Sequence, residues 1–463
     1  MSSSRNSFTG TLGFVIAAAA SAVGLGNIWR FPFLAARDGG GIFLLTYLIL
    51  ALTFGFTLLT SEVAIGRMTR KSPLTAYTSI NKNARPICIM ACVIPIIILP
   101  YYCAIGGWVL KYFISFLSGQ AERAAEEGYF TGFISDVSSP IIMMAIFLAI
   151  TMSVVILGVD KGIEKFSKLA MPFLILLILI ICIFSLTLSH TDESGTVRTG
   201  MEGLRILFIP DFSSLTFQSL MNTLMDAMGQ LFYSLSIAMG IMIAYGSYMR
   251  DDTNLPKAIG QIEIFDTAIA FLAGIMIIPA VYVFMGKEGM EASGPGLMFV
   301  TLPRVFSQMG RIGAFIGCLF FAMVLFAATT SSVSILEAIV SSFVDRFGIE
   351  RKKAVMLEGV ICFALGTLVC LGYNLLYFEY TLPNGAVGQL LDIMDYVSNN
   401  LMMPLVSIGT CILVGWVTNP DKIIGEITKN GESFNRKTVF VVMLRYIAPV
   451  MLFAILIKAL GLL

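Results

Sequence analysis

Several oxygen-bearing side chains stand where the chain is otherwise apolar, and their types suit the holding of a hard cation. Asn27 closes the run Ala20-Ser21-Ala22-Val23-Gly24-Leu25-Gly26, and Ser234 opens Ser234-Leu235-Ser236. Thr330-Ser331-Ser332 and Asp266 lie in two further apolar stretches. A dry membrane interior can cage a cation with unwound carbonyls, amides, hydroxyls and carboxylates. Taken singly, Asn27 or Ser234 could be a satisfied hydrogen bond between helices, and Ser or Thr often bonds back to the i−4 carbonyl. A carboxylate at 266 inside an apolar span is harder to explain that way. Glu62 and Glu337 are also intramembrane acids and read as buried structural links. Hydrolytic chemistry finds no footing, because neither HExxH nor GxSxG occurs and His190, the only histidine, reads as a solvated loop residue. The eight cysteines form no CxxC pair and read as small core residues. An intramembrane enzyme is not expected.

These residues must be positioned by membrane helices. The chain has 463 residues, 57% hydrophobic and 13% charged, with a mean hydropathy of +0.87. Soluble domains run nearer ~25% charged. At ~20 residues per span, the apolar content fills about a dozen spans. A net charge of +1 offers no field for nucleic acid. Eleven segments can be drawn: 10–36, 41–66, 87–117, 139–158, 166–188, 219–248, 256–285, 311–344, 353–374, 387–417 and 438–462. The links 67–86, 159–165, 249–255, 345–352 and 418–437 are basic-rich. With Arg5 and the flanking lysines they hold about 19 of the 30 Lys and Arg, which places the N-terminus in the cytoplasm. An odd number of spans then puts the C-terminus outside. No signal peptide is evident.

Segments one and six are poor continuous helices, since both carry small, polar or glycine residues near mid-membrane. Either run alone could be tight helix packing, as at Ala20/Gly24. They are, however, the first and the sixth segments. Five spans are an odd number, so a second copy of that unit enters the membrane inverted. Paired interruptions in inverted halves point to a transporter's binding site. The halves would be 10–188 and 219–417, with 438–462 as an accessory helix and the whole of 1–463 as one transport domain.

From Gly24 to Pro32 the chain reads Gly-Leu-Gly-Asn-Ile-Trp-Arg-Phe-Pro, followed by Gly39-Gly40-Gly41. Together with Ser234-Leu235-Ser236, Thr330-Ser331-Ser332 and Gly294-Pro295-Gly296-Leu297 leading into Phe299-Val300-Thr301-Leu302-Pro303, this resembles the neurotransmitter:sodium symporter family over essentially the whole chain. The nearest likeness is to its bacterial amino-acid transporters. The resemblance implies an all-α polytopic membrane protein of about eleven helices. Its LeuT-like 5+5 inverted repeat would have broken helices 1 and 6 and one accessory helix.

The resemblance also implies a site. One sodium ion would take the Ala22 carbonyl, Asn27, Ser234 and Asp266, the last placed by aligning Gly274. A second would take carbonyls of Ala20, Val23 and Ala327 with hydroxyls of Thr330 and Ser331. Ala20 stands where relatives have glycine, which a carbonyl ligand tolerates. The substrate carboxylate would face the amides of Leu25 and Gly26 at a half-helix N-terminus, beside Gly24, Ala22 and the Tyr102 hydroxyl. Tyr101 and Tyr102 could equally be interfacial belt residues. Ser236 and carbonyls near the breaks would hold the ammonium, with Ser21, Ile98, Tyr233, Ser234, Met239 and Ile335 around the side chain. Met239 replaces a phenylalanine and Ala238 a glycine. Arg30 and Asp395 match an outer gate; Arg5 and Asp345, with Tyr248, match an inner one. Gln230 would line the outer vestibule.

The expected function is sodium-coupled symport of neutral or hydrophobic L-amino acids across the plasma membrane by alternating access. It would use one or two sodium ions, no organic cofactor and no chloride. A proton-coupled amino-acid carrier of the same architecture and a non-transporting substrate sensor are the rival readings.

Overall fold

The computed structural model describes residues 7–191, 195–210, 212, 215–291 and 293–462. Among the described residues, nine helices are long and apolar enough to cross a membrane, and a pair bent by 50° makes a tenth if counted as one span. The bent pair is α1, with halves α1a (Thr11–Ala22) and α1b (Gly26–Arg37). Then come α2 (Gly41–Thr69), α3 (Lys82–Leu117), α4 (Ser139–Ile156) and α5 (Val159–Thr187). The sixth segment is α6a (Phe217–Leu235) and α6b (Ile241–Ser247). It lacks the uniform apolarity of the others because α6a carries Gln218, Asn222, Asp226 and Gln230. After it follow α7 (Leu255–Met285), α8 (Gly310–Phe347), α9 (Arg351–Leu371), α10 (Leu390–Val417) and α11 (Lys437–Ala459).

The eleven expected segments therefore match eleven helical elements, with edges off by a few residues. The fifth is the exception in kind. Residues 159–165 are not a polar link; Val159–Glu164 is already wound, in a wide π-helical turn that runs into the span. Gly158, at φ 92°, turns the chain so that winding starts there. Glu164 is buried and accepts the Thr9 N–H at 2.9 Å and the Lys168 ammonium at 2.6 Å, so its charge is matched within the helix end.

The breaks in α1 and α6 differ in their backbone. Helix α1a ends at Val23, whose ψ of 92° leaves the helical region, and winding resumes at Gly26. Between α6a and α6b the chain enters the left-handed region at Ser236 (φ 53°), Ala238 (67°) and Gly240 (74°). For a residue with a Cβ such a conformation costs ~1–2 kcal/mol, so Ser236 and Ala238 hold strain that something must offset. Freed backbone groups at this depth also need partners. Ser236 donates to the Ser21 carbonyl at 3.1 Å, and the Ala238 N–H donates to Glu62 at 2.7 Å. The two breaks thus satisfy each other, with α2 as a third support.

Two close approaches weld α2 to α6b. A Cβ on Gly66 would strike the Ile243 carbonyl and lie 2.9 Å from the Ser247 nitrogen. A Cβ on Gly246 would strike the Val63 carbonyl and lie 3.0 Å from its Cα. Backbone meets backbone there. On the face carrying the basic links, buried Arg67 donates to Glu426 at 2.7 Å and to the Thr253 carbonyl at 2.8 Å. Nearby, the loop carboxylate Asp251 receives Lys429 and Arg70, each at 2.7 Å, which hold its carboxyl down at about 2. All eight cysteines are free thiols, seven of them buried.

Candidate functional site

The site lies where the two breaks face each other, and its oxygens converge from four helices. Asp266 of α7 is fully buried. It accepts the Asn27 amide at 2.9 Å, the Tyr47 hydroxyl at 3.1 Å and the Ser234 hydroxyl. Tyr47 also lies 3.3 Å from the Ser234 hydroxyl. The Asn27 side-chain oxygen is buried and meets no hydrogen-bond partner among the described residues. A carboxylate, an amide oxygen and a hydroxyl in one dry cluster form a donor set suited to a hard monovalent cation. The structure brings Asp266 beside Asn27 and Ser234.

A second group of hydroxyls comes from α8. Thr330 lies 3.0 Å from the Ala327 carbonyl and 3.1 Å from that of Phe326, and Ser331 donates to the Ser21 carbonyl across the break at 3.2 Å. Thr330 thus makes the ordinary i−4 bond, whereas Ser331 reaches another helix. Ala20 and Val23 are fully buried at the end of α1a.

Between these groups lies the break of α1. A Cβ added to Gly24 would sit 2.8 Å from the Ser331 hydroxyl and 3.5 Å from that of Tyr102. The Tyr102 hydroxyl is buried near the Leu25 amide and Ser331, with no well-formed hydrogen bond among the described residues. Tyr101 is buried as well, and its hydroxyl donates to Asp395 at 3.1 Å. Neither tyrosine belongs to an interfacial belt. Ser21 and Ser236 bring their hydroxyls within 3.2 Å of each other. Ile98, Met239 and Ile335 are buried apolar side chains from α3, the α6 break and α8.

Gln230 corrects one expectation. It is fully buried rather than exposed to a vestibule, and its amide donates at 3.0 Å to the Gly26 carbonyl, which also accepts the Phe31 N–H of α1b. At the end of the site expected to face outward, Arg30 makes no ion pair with Asp395 among the described residues; its guanidinium lies over the Tyr233 ring at 5.1 Å. Asp395 instead takes the hydroxyls of Tyr101 and Tyr233 and the amide of Asn399. At the other end Arg5 lies outside the described residues. Asp345 accepts the Ser72 N–H at 2.7 Å, and Tyr248 donates to Glu337 at 2.8 Å. Glu337 is also the ion-pair partner of Arg351, so it is the buried link expected, as is Glu62. His190 packs its ring 5.1 Å from that of Phe284.

Sequence reading missed Tyr47, Asn399 and Glu358. Tyr47 is hidden among apolar neighbours as one more aromatic. Asn399 stands four residues after Asp395, a spacing that shares a helix face, and could have been found. Glu358 of α9 is a buried acid with no hydrogen-bond partner among the described residues.

The family model of the sodium:neurotransmitter symporter family matches residues 5–125 and 128–462. The chain belongs to that family. This symporter is 32% identical to a sodium-dependent transporter of Bacillus subtilis, YhdH, over 98% of its own length and 97% of that protein's. It is 25% identical to the sodium- and chloride-dependent GABA transporter 2 of Rattus norvegicus, covering 91% of this chain and 75% of that one. Its fold is similar to the crystal structure of MhsT in complex with L-phenylalanine, with a TM-score of 0.85, 33% identity, and 98% and 100% of the two chains covered. The symporter is an all-α, multi-pass membrane protein of the LeuT-like class that performs sodium-coupled transport and is not an enzyme.

Proposed function

We propose that this symporter carries neutral, apolar L-amino acids into the cell with sodium, by alternating access between two inverted five-helix halves. Its N-terminus lies in the cytoplasm and its C-terminus outside. The observation that carries this reading is the buried cluster of Asp266, Asn27, Ser234 and Tyr47 beside the α1 break, against which the Tyr102 hydroxyl of α3 lies. One sodium ion sits between Asn27, Ser234, Asp266 and the Ala22 carbonyl. The substrate carboxylate bridges that ion, the Leu25 and Gly26 amides and Tyr102. A second ion takes Thr330, Ser331 and the carbonyls of Ala20, Val23 and Ala327. Ser21 and Ser236 face the ammonium, while Ile98, Met239 and Ile335 receive the side chain. A shared contact makes the coupling reciprocal, since each ligand stabilises the form that binds the other. The bound L-phenylalanine of MhsT supports an amino-acid substrate.

Uptake of labelled amino acids into proteoliposomes, with and without a sodium gradient, tests this directly. Sodium-free uptake driven by a pH gradient would favour a proton-coupled carrier, and binding without uptake a sensor. Two variants add resolution. Tyr102→Phe removes one hydrogen bond to a charged carboxylate, worth ~1.5–3 kcal/mol, so amino-acid affinity should fall by about tenfold or more while sodium binding without substrate persists. Thr330→Ala with Ser331→Ala strips two ligands at ~1–3 kcal/mol each. Its sodium half-saturation in uptake should rise by at least about tenfold with near-normal expression. An unchanged value would return both hydroxyls to helix packing.

A further inference from the structure

The loops that enter α7 and α11 leave a cavity of about 280 Å³ against α2, on the membrane face that carries the basic links. Phe56 of α2 and Phe434 line it, their rings 6.0 Å apart. Arg436 lies across the Phe56 ring, its guanidinium 4.1 Å from the centroid. Among the described residues its Nη1 makes every hydrogen bond: two to the buried Glu263 of α7, at 3.0 and 3.1 Å, and one to the Leu52 carbonyl at 3.3 Å. Nε and Nη2 donate to no described residue. Lys257, in the first turn of α7, is exposed on another wall, and its ammonium has no partner among the described residues. Ser433 and Asn435 add a hydroxyl and an amide that are equally free. No acid lines the cavity among the described residues. Glu263 balances Arg436, so Lys257 leaves the lining with a net positive charge. Toward the middle of the same three spans, Ile49 and Leu52 of α2, Ile264 of α7 and Val442 of α11 expose apolar side chains. Arg436 touches both Leu52 and Glu263, the neighbour of Ile264, so the polar cavity and the apolar strip adjoin.

We propose that this cavity holds the headgroup of an anionic phospholipid, whose acyl chains lie along Ile49, Leu52, Ile264 and Val442. The leaflet is the cytoplasmic one, which rests on the orientation proposed above; the site itself rests only on the membrane. A phosphodiester carries one negative charge. Lys257 matches it, and the free Nε and Nη2 of Arg436 supply two donors in the fork that suits a phosphate. Ser433 and Asn435 then bond the hydroxyls of a glycerol headgroup. A choline headgroup fits worse on two counts. It brings a second cation to Lys257, and Arg436 already covers the Phe56 ring that would attract it. Glu263 stands three residues before Asp266 on α7. A lipid held by Arg436 therefore steadies the base of the helix that carries the site's carboxylate.

Native mass spectrometry of the purified full-length protein, titrated with phosphatidylglycerol and with phosphatidylcholine, tests the site. One phosphatidylglycerol should bind at least about fivefold more tightly, the factor that one lysine near a membrane surface contributes toward an anionic lipid. Lys257→Gln should bring the two lipids level and leave the melting temperature in phosphatidylcholine unchanged. Arg436→Gln alone strands the buried Glu263, so the arginine is tested as Arg436→Gln with Glu263→Gln, which should also lose the preference. Ile264→Trp reads the place. In phosphatidylcholine nanodiscs its added fluorescence should be quenched more by a minor fraction of chain-brominated phosphatidylglycerol than by the same fraction of brominated phosphatidylcholine. Adding Lys257→Gln should remove that excess. No preference, a preference that survives Lys257→Gln, or no excess quenching overturns the proposal. So does inorganic phosphate that displaces phosphatidylglycerol at equal concentration, which would mean a site for a soluble anion. None of these readouts needs transport, and an inverted orientation changes none of them. A wild-type protein that passes them and takes up no amino acid counts against the function proposed above and not against the lipid.

Discussion

Asp266→Ala is expected to abolish sodium-driven uptake, with sodium affinity falling by more than about 100-fold. The carboxylate is fully buried and gathers Asn27, Tyr47 and Ser234 around it. With sodium bound as proposed, removing one partner of this buried ion pair costs ~3–5 kcal/mol, because the ion is left without its fixed counter-charge and the neighbouring donors without their acceptor. Sodium binding to purified protein, with no substrate present, measures this loss. Wild-type sodium affinity in Asp266→Ala would withdraw the residue from the site. The same charge sets the anion requirement. With a carboxylate at 266 and Ala270 one turn later, also buried, the chain carries its own negative charge. Wild-type uptake should be indifferent to replacing chloride with gluconate. Asp266→Asn with Ala270→Ser keeps an oxygen for sodium, removes the charge and adds a hydroxyl, and should make uptake depend on chloride. A wild-type protein that stops in gluconate would contradict the assignment.

A decarboxylated amine should bind at least about 1,000-fold more weakly than the amino acid from which it derives. Position 24 is a glycine, and the space beside it is closed by Ser331 and Tyr102, so that position offers no acidic side chain to an amine, and Asp266 is already engaged by Asn27, Tyr47 and Ser234. The recognition groups of the proposed site all favour an anion: the amides at the start of α1b, the Tyr102 hydroxyl and the sodium ion proposed beside them. An amine leaves all of them buried and unpaired. Sites built to hydrogen-bond one group reject the analogue lacking it by ~10,000-fold or more. Competition of phenethylamine against labelled L-phenylalanine measures the ratio, and equal potency would sink the idea.

Much of this fold can be read from the chain because membrane helices must be apolar throughout, so each departure from apolarity carries information. The breaks could be seen at Gly24, Gly26 and Ser234-Leu235-Ser236, and Asp266 stood out as a charge in an apolar span. Tyr47 was hidden for the converse reason: its ring is as apolar as its neighbours and only the hydroxyl reaches Asp266. Gln230 was turned the wrong way. α6a mixes polar and apolar residues, and the partner that buries Gln230, the Gly26 carbonyl of another helix, cannot be read from the sequence around it. The start of α5 was misjudged because Asp160, Lys161 and Glu164 look like a loop until Thr9 and Lys168 are seen to match the buried acid. Asn399 was within reach of the sequence, since its four-residue spacing puts it on the helix face of Asp395.

The glycines that join α2 to α6b set a limit on how the protein can move. With Gly66 against Ile243 and Gly246 against Val63, no side-chain layer lies between the two backbones to shear or repack. Sliding one past the other would drive carbonyl into carbon. The seven residues Ile241–Ser247 are too short to act as a free lever, and they are bolted to a span four times their length. The flexible joint is therefore confined to Ser236–Gly240, and whatever tilts α2 carries α6b with it as a passenger.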